Sequence, residues 1–335
     1  MENSFRKDWG SALLLTHKQL IDERLIDEQV SDQLWRLRLR NPRKSLIVNT
    51  FVYRSEDVVA VIDPGWPFTL DVLDRALRDL DVGGLAGVDR WIYTHSHIDH
   101  MGAAALIEQR SDAPHLAWSG LEPHLGRWHA FQDEVHVLGP WVEQAFDEPH
   151  RSRLLSRLDE EYSLVDHHGP AGLERVELFD FGERVEVGDL TLEWVDARGH
   201  DPYHAALWEP ERGWLFSGDV ALPVPTPLCR AMDDDVAAYR ASLDRLAALE
   251  PTLLLPGHGL HRRGDDVGTA FERARGFFEE YEARVRQALE GRDGPVDLYE
   301  LALELTPEGR PLRPFGRWWV HLALVDSHVW ALRAG

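Results

Sequence analysis

The chain has 335 residues, 44% of them hydrophobic, which suffices for one large domain or a large domain with a small one attached. Aspartate and glutamate total 58 against 36 lysine and arginine residues. The net charge of −22 argues against a general nucleic-acid binder, because affinity for phosphates depends on clustered basic residues. No apolar run approaches a membrane span, no apolar signal core opens the chain, and the single cysteine, Cys229, excludes an intrachain disulfide framework. We therefore expect a soluble, cytoplasmic protein.

The first 62 residues are predicted to pass from a helix into strands. Residues 1–32 are expected to form a helical extension, because apolar side chains recur among charges at roughly helical spacing. Residues 35–40 alternate strictly and predict a strand whose arginine face is interpreted as solvated rather than as an anion site. Two further strands are predicted at 45–53 and 58–62.

A tight turn at Asp63-Pro64-Gly65 ends the last of these strands. Helical and strand patterns then alternate at 70–80, 90–93, around Met101 and at 115–118, and this rhythm indicates an α/β domain. Residues 120–172 break the rhythm and are interpreted as a lid-like, mostly helical insert. Seven histidines of the insert and the strand before it are interpreted as surface residues: His115, His124, His129, His136, His150, His167 and His168.

Strands are predicted to resume after the insert, at 176–178, 184–187, 190–195, 205–208, 214–217 and 253–255, with a helix over 236–249. Beyond Gly259 the pattern is mostly helical. The predicted domains are therefore residues 1–262, which carry the chemistry, and a small helical domain over residues 263–335.

The segment with the strongest chemical signal is Thr94–Gly102, which holds three histidines and one aspartate: His95, His97, Asp99 and His100. Imidazole and carboxylate groups suit zinc and similar divalent metals. Because the segment directly follows an apolar strand, it is predicted to form a metal-binding loop at a strand end.

Three further pairs of residues occupy the same setting, each at the end of a predicted strand. They are Gly199-His200, Gly218-Asp219 and Gly257-His258. Glycine beside a ligand suits a sharp turn with a close backbone approach. Each pair is a weak signal alone. Together with the four candidate ligands of the histidine segment, which precedes them in the chain, they give seven candidate ligands on four loops.

This ordered set closely resembles the metallo-β-lactamase-fold hydrolase superfamily, over about residues 33–262, including Asn49 and the turn at Asp63. The resemblance implies an α/β fold, a four-layer αββα sandwich, here with the small helical C-terminal domain. It implies that one metal is held by His95, His97 and His200. It implies a second metal at Asp99, His100 and His258, with Asp219 bridging the two. Asp63 is expected to orient the histidine loop, and catalytic roles fall to Asp99 and Asp219.

Within that superfamily, the stretch after Asp219 and the helical tail resemble the glyoxalase-II-like branch, whose C-terminal domain is winged-helix-like. That branch includes thioester hydrolases and an endoribonuclease lineage. The basic and tyrosine residues expected for glutathione are not recognisable here, and no tyrosine follows Asp219 before Tyr239. Both departures count against a glyoxalase II proper and against the quorum-signal lactonases.

The expected activity is dinuclear metal-dependent hydrolysis of a thioester or a related small ester or lactone, with a bridging hydroxide as nucleophile. One alternative is a metallo-endoribonuclease or phosphodiesterase on the same scaffold, and another is a redox or metal-binding module without hydrolysis. Zinc is the default metal, with iron and manganese as alternatives. The expected partner is a small-molecule substrate, not nucleic acid or membrane, and a homodimer is compatible with the sequence. His204 is interpreted as a structural neighbour of the site, and His321 and His328 as packing residues.

Overall fold

The computed structural model describes residues 26–40, 47–125, 152, 173–222, 235–292, 294, 296–305, 324–329 and 331–332. Several sequence predictions fall outside these residues. They concern the extension before residue 26, nearly all of the insert beyond residue 125, five of its histidines, and His321.

Within the described residues, the first sheet has seven strands, in the spatial order in which they occur along the chain. They are β1 (Ile26–Ser31), β2 (Leu34–Arg40), β3 (Ile47–Arg54), β4 (Val59–Ile62), β5 (Arg90–Ile92), β6 (His115–Trp118) and β7 (Val176–Phe179). The first four strands pair antiparallel and the last four pair parallel. The carboxyl ends of β4, β5 and β6 therefore lie at one edge of the sheet.

The second sheet has six described strands in the order β13-β12-β11-β10-β9-β8. They are β8 (Arg184–Val187), β9 (Leu190–Asp196), β10 (Ala205–Glu209), β11 (Trp214–Gly218), β12 (Leu253–Pro256) and β13 (Arg262–Arg263). Strands β11 and β12 are parallel, so the segments that follow them leave the sheet on the same side. These segments carry Asp219 and His258.

Three apolar layers separate four layers of secondary structure, which confirms the predicted αββα sandwich. Between the sheets lies one core, with Phe51, Trp194 and Phe216 fully or almost fully buried. Helices α1 (Leu70–Asp79), α2 (Ile98–Met101) and α3 (Ala104–Glu108) cover the outer face of the first sheet. Helices α4 (Asp235–Ala247) and α5 (Asp265–Leu289) cover the second sheet.

The long helix α5 contributes side chains to two hydrophobic cores. Its first half packs on the second sheet through Phe271 and Phe278, and its second half packs on α6 (Leu298–Leu305) and residues 324–329. In that second core the His328 ring is buried and its Nδ1 lies 2.7 Å from the Leu324 carbonyl oxygen, which confirms His328 as a packing residue. The separate domain over residues 263–335 stays a prediction. None of the described helices is both long and apolar enough to cross a bilayer.

Two sequence predictions about the N-terminal region are wrong. Residues 26–31 of the expected helical extension form strand β1, because a partner strand supplies pairing that the local pattern does not encode. The arginine face of β2 is not uniformly solvated, since Arg36 is buried at 1% exposure. Its guanidinium donates to the Gly259 carbonyl at 3.2 Å and to Glu28 Oε2 at 3.2 Å. Arg36 thus ties β1 to the loop that follows β12.

His115 and His124 are also buried, which corrects their interpretation as surface residues. The His124 ring lies 4.0 Å from the Tyr203 ring. His115 stacks on Tyr93, and its Nδ1 lies 2.6 Å from the Tyr93 hydroxyl oxygen. Burial, and secondarily the charge of Arg175, lower the pKa of His115 from 6.5 to about 3. His115 is therefore neutral in the folded protein at neutral pH.

This shift predicts an acid sensitivity with a definite sign. Below pH 6.5, His115 binds a proton in the unfolded protein but stays neutral in the folded protein. The free energy of unfolding therefore falls as the pH drops from 6.5 toward 3. His115→Asn keeps a polar atom near the Nδ1 position but cannot titrate. Between pH 6 and 4, the unfolding free energy of the wild type should fall by about 1.4 kcal/mol per pH unit more than that of the variant. Urea unfolding of both chelator-treated proteins measures the two slopes, and equal slopes would contradict the assignment.

Candidate metal centre

The histidine loop begins where β5 leaves the first sheet. His95 and His97 follow that strand, His97 with an extended backbone, and Asp99 and His100 occupy the single turn of α2. The short helix is closed by hydrogen bonds from the backbone N–H groups of His100 and Met101 to the His97 carbonyl. The abrupt change from strand to helix points four chemically active side chains into one volume.

The seven predicted ligands converge in two groups, each with ligand atoms within 4.8 Å of one another. The first group comprises His95, His97, His200 and Asp219, and the second comprises Asp99, His100 and His258. All except His97 and His258 are buried. The structure thus brings together every site residue that the sequence analysis singled out.

Asp219 lies against both groups. Its Oδ2 is 3.3 Å from His200 Nε2 and 3.2 Å from His258 Nε2, and its Oδ1 is 3.4 Å from His100 Nε2. A tetrahedral ion with ligands at about 2.0–2.1 Å places neighbouring ligand atoms about 3.3 Å apart. The observed separations therefore fit ligand atoms that surround small divalent ions.

Buried polar atoms give a second test of fit. Among the described residues, His95 Nε2, His100 Nε2 and Asp219 Oδ1 are buried without a hydrogen-bond partner. Such atoms are costly inside a protein unless a ligand satisfies them. All three atoms belong to the converging side chains, so the chemistry of the donor set fits the binding of divalent metal.

Asp63 orients the histidine loop, as predicted. Its carboxylate accepts hydrogen bonds from the Thr94 N–H at 2.9 Å and from the Thr94 hydroxyl at 2.8 Å. The Thr94 oxygen also lies 2.9 Å from His95 Nδ1. Since the threonine hydroxyl proton is used on Asp63, His95 Nδ1–H donates to Thr94 and leaves Nε2 as the free lone pair.

The second group is oriented in the same manner. His100 Nδ1 lies 2.9 Å from Asp63 Oδ2, and His258 Nδ1 lies 2.6 Å from the Ile47 carbonyl oxygen. In both rings Nδ1–H donates, so Nε2 faces the site. The Asn49 side-chain amide donates to the carbonyls of Pro256 and Gly259 at 2.8 and 2.9 Å, which fixes the loop around His258.

His204 is a structural neighbour of the site, as the sequence analysis expected. Its Nε2 accepts a hydrogen bond from the Asp219 N–H at 3.0 Å, and its ring stacks on that of His95 at 4.6 Å. On the other side, the Tyr239 hydroxyl donates to the Asp219 carbonyl at 2.9 Å. Both the backbone N–H and the backbone carbonyl of Asp219 are thus held by hydrogen bonds.

The charges of the site reinforce one another. Burial opposes ionisation of Asp219, yet His258 and His100 hold the pKa of its carboxyl well below the usual range. Burial likewise opposes protonation of His258, and Asp219 and Asp99 nevertheless raise its pKa well above normal. Metal ligands must be deprotonated, so metal uptake should displace these protons and weaken in acid.

Sequence reasoning missed Asp201, which lies next to His200. Its carboxylate is 1% exposed and accepts hydrogen bonds from the N–H groups of Ser96 and Tyr203, both at 2.8 Å, and from the Ser96 hydroxyl. The available signal was an aspartate directly after a candidate ligand. Its partner Ser96 lies 105 residues away in the chain, a distance that local patterns do not bridge.

Comparison with known proteins identifies the family. The family model for the metallo-beta-lactamase superfamily matches residues 43–258, a range that holds all seven converging side chains. The chain belongs to the metallo-beta-lactamase superfamily.

Named relatives differ in their extent of similarity. The "Beta-lactamase-like protein 2 homolog" of Caenorhabditis elegans is 36% identical over 247 residues, which are 73% of this chain and 65% of that relative. The Bacillus subtilis "Probable metallo-hydrolase YqjP" is 24% identical over 67% of this chain and 71% of its own length. The match to the first relative thus spans slightly less than two thirds of its length.

Solved structures share the fold. A metallo-beta-lactamase family protein from Thermus thermophilus aligns with a TM-score of 0.68 and 23% identity over 91% of this chain and 95% of its own. A beta-lactamase domain protein from Burkholderia ambifaria aligns with a TM-score of 0.70 and 22% identity over 93% and 91%. At these identities the likeness concerns the architecture.

Proposed function

We propose that the protein is a dinuclear metal-dependent hydrolase that acts on a thioester or a related small ester or lactone. The observation that carries the proposal is the convergence of seven ligand side chains in two groups that share Asp219. The names of two relatives agree with hydrolysis. One is the metallo-hydrolase of Bacillus subtilis. The other is a "Hydroxyacylglutathione hydrolase" of Erythrobacter litoralis, which is 32% identical over 85 residues, or 25% of this chain.

In this proposal, His95, His97 and His200 hold one ion, Asp99, His100 and His258 hold the other, and Asp219 contacts both. When bound there, divalent ions would supply a water of lowered pKa and Lewis-acid polarisation of a substrate carbonyl. The protein residues fix the geometry of that centre. Asp63 and Ile47 lock the histidine tautomers, and His204 and Tyr239 hold the bridging aspartate by its backbone.

The proposal predicts two metal ions per chain. Zinc is the metal we propose, because imidazole and carboxylate ligands suit it. Protein that is stripped with a chelator, reconstituted with zinc and freed of excess metal should contain close to two equivalents by elemental analysis. A plateau at one equivalent or less would contradict the dinuclear centre.

The charge of the chain favours a small neutral substrate over RNA. A nuclease must meet several phosphates with cations or clustered donors, and the net charge of −22 opposes a polyanion. One observation favours the phosphodiesterase alternative. Arg38 is exposed on β2 and is paired in register with Asn49, whose side chain reaches the loop that carries His258.

A direct comparison of substrates tests this choice. The zinc-loaded protein is assayed at low salt with a simple acyl thioester, an aryl ester, a lactone and single-stranded RNA. We expect metal-dependent turnover of at least one of the first three, at rates well above RNA cleavage. Arg38→Gln serves as the internal control, because it should slow a phosphodiesterase and leave hydrolysis of a neutral ester nearly unchanged. Efficient RNA cleavage without activity on the three small substrates would overturn the proposed substrate class.

A further inference from the structure

The buried carboxylate of Asp201 connects two loops that carry ligands of the same group. Ser96, which donates to it through both its N–H and its hydroxyl, lies between His95 and His97. Asp201 itself directly follows His200. One carboxylate therefore joins the strand-exit loop of the first sheet to the loop after β9 in the second sheet.

The loop that bears Asp201 is itself tightly constrained. The Asp201 carbonyl accepts hydrogen bonds from the N–H groups of Gly199 at 3.4 Å and His204 at 3.3 Å. Gly199 has a φ of +127°, and a side chain there would lie 2.3 Å from the Tyr239 backbone nitrogen. The loop therefore has little freedom to adjust, so a displacement of the Asp201 carboxylate would be passed on to His200, the preceding residue.

A buried carboxylate is costly unless hydrogen bonds or nearby positive charge compensate for its lost hydration. Asp201 obtains three donors, two of them backbone N–H groups. Asparagine has the same shape but only one acceptor oxygen. Its NH₂ group would face one of the donors, a backbone N–H or the Ser96 pair, and could not accept a hydrogen bond from it. The arrangement therefore suits an anion.

We propose that Asp201 is a positioning residue for the first ligand group, which sets the affinity of the ion held by His95, His97 and His200 and leaves the second group unaffected. The second group has its own supports, because His100 is oriented by Asp63 and His258 by Ile47. The inference rests on the metal ligands assigned in the proposed function. It does not require that any particular substrate be hydrolysed.

The test is the binding of zinc to Asp201→Asn and wild type, both stripped of metal, in competition with a chromophoric chelator. One of the two binding steps should weaken about 10- to 100-fold, as is typical when a group that orients a ligand is lost. Cobalt(II) reports the geometry. The absorption spectrum of the weakened step should shift or lose intensity in Asp201→Asn, a change that a loss of global stability alone would not produce.

Single-site backgrounds identify which step is affected. In His258→Ala, where the first group remains, adding Asp201→Asn should weaken zinc binding by the same factor. In His97→Ala, where the second group remains, the same addition should leave binding within about threefold. Equal weakening in both backgrounds, or in neither, would overturn the proposal.

Two further variants complete the test: one is a control for folding, and the other is a milder change at the same contact. Asp74→Asn alters a carboxylate on α1 that also accepts a backbone N–H, from Leu85 at 2.9 Å, and it should leave zinc affinity unchanged. Ser96→Ala removes only the hydroxyl donor and should weaken the same step by about three- to tenfold. If Asp201→Asn does not fold, Ser96→Ala decides alone, and unchanged binding in that variant would refute the role of Asp201. Failure of hydrolysis with intact zinc binding would contradict the proposed function and leave this inference standing.

Discussion

Replacing Asp219 by alanine should abolish hydrolysis and the binding of two metal ions together. Its two carboxylate oxygens lie 3.2–3.4 Å from nitrogens of His100, His200 and His258, so the variant loses the contact shared by both groups. In the proposed mechanism, the activation of water and the polarisation of the carbonyl both depend on two ions, so we expect metal-dependent activity to fall by at least about a thousandfold. Bound zinc should fall to one equivalent or less.

The fold should survive this change. The backbone N–H and carbonyl of Asp219 keep their bonds to His204 and Tyr239 in the alanine variant. Circular dichroism and the melting temperature of the chelator-treated protein measure this directly. Asp244→Ala is the matched control, since Asp244 is exposed and pairs with Arg275 outside the site. Full activity in Asp219→Ala would refute the proposed mechanism.

Gly257→Ala should lower activity by about a hundredfold without removing a ligand. An added Cβ would lie 2.5 Å from both Asp219 Oδ1 and His100 Cε1, which is closer than real contacts allow. The backbone cannot yield, because the Gly257 N–H donates to the Gly218 carbonyl and its carbonyl accepts from Asn49 N–H, both at 2.7 Å. The ligands must therefore move, and a displacement of about 1 Å costs about a hundredfold in rate.

The measurements are kcat, bound zinc per chain and the thermal stability of the metal-free protein. Gly276→Ala is the control. Gly276 lies on α5, where an added Cβ meets no atom within 4 Å, and the substitution should raise stability by about 0.5–1 kcal/mol with unchanged activity. Normal activity and metal content in Gly257→Ala would show that the loop does not approach the ligands as closely as the structure indicates.

Much of the fold was predictable because its strands are short, apolar and bounded by turn residues. The strands predicted at 184–187 and 205–208 agree with β8 and β10 to within one residue. Prediction failed where pairing with distant strands decides the conformation. Residues 26–31 carry apolar and charged side chains at a spacing that fits a helix, but β2 lies alongside and makes them a strand. Arg36 looked solvated because its partners, Glu28 and Gly259, are brought to it only by the sandwich.

The sequence by itself determined the candidate chemistry of this protein. Seven residues of ligand type occur in four segments, each at or shortly after the end of a strand, and they are the seven side chains that converge in the two groups. They could be named from the sequence because residue type and strand ends are local properties. Only the tertiary structure decided how those side chains are held. The tautomers set by Asp63 and Ile47, the anchoring of Asp219 by His204 and Tyr239, and the bridge of Asp201 to Ser96 depend on contacts between distant segments. Such contacts form only when two sheets pack face to face and bring the loops at their edges together.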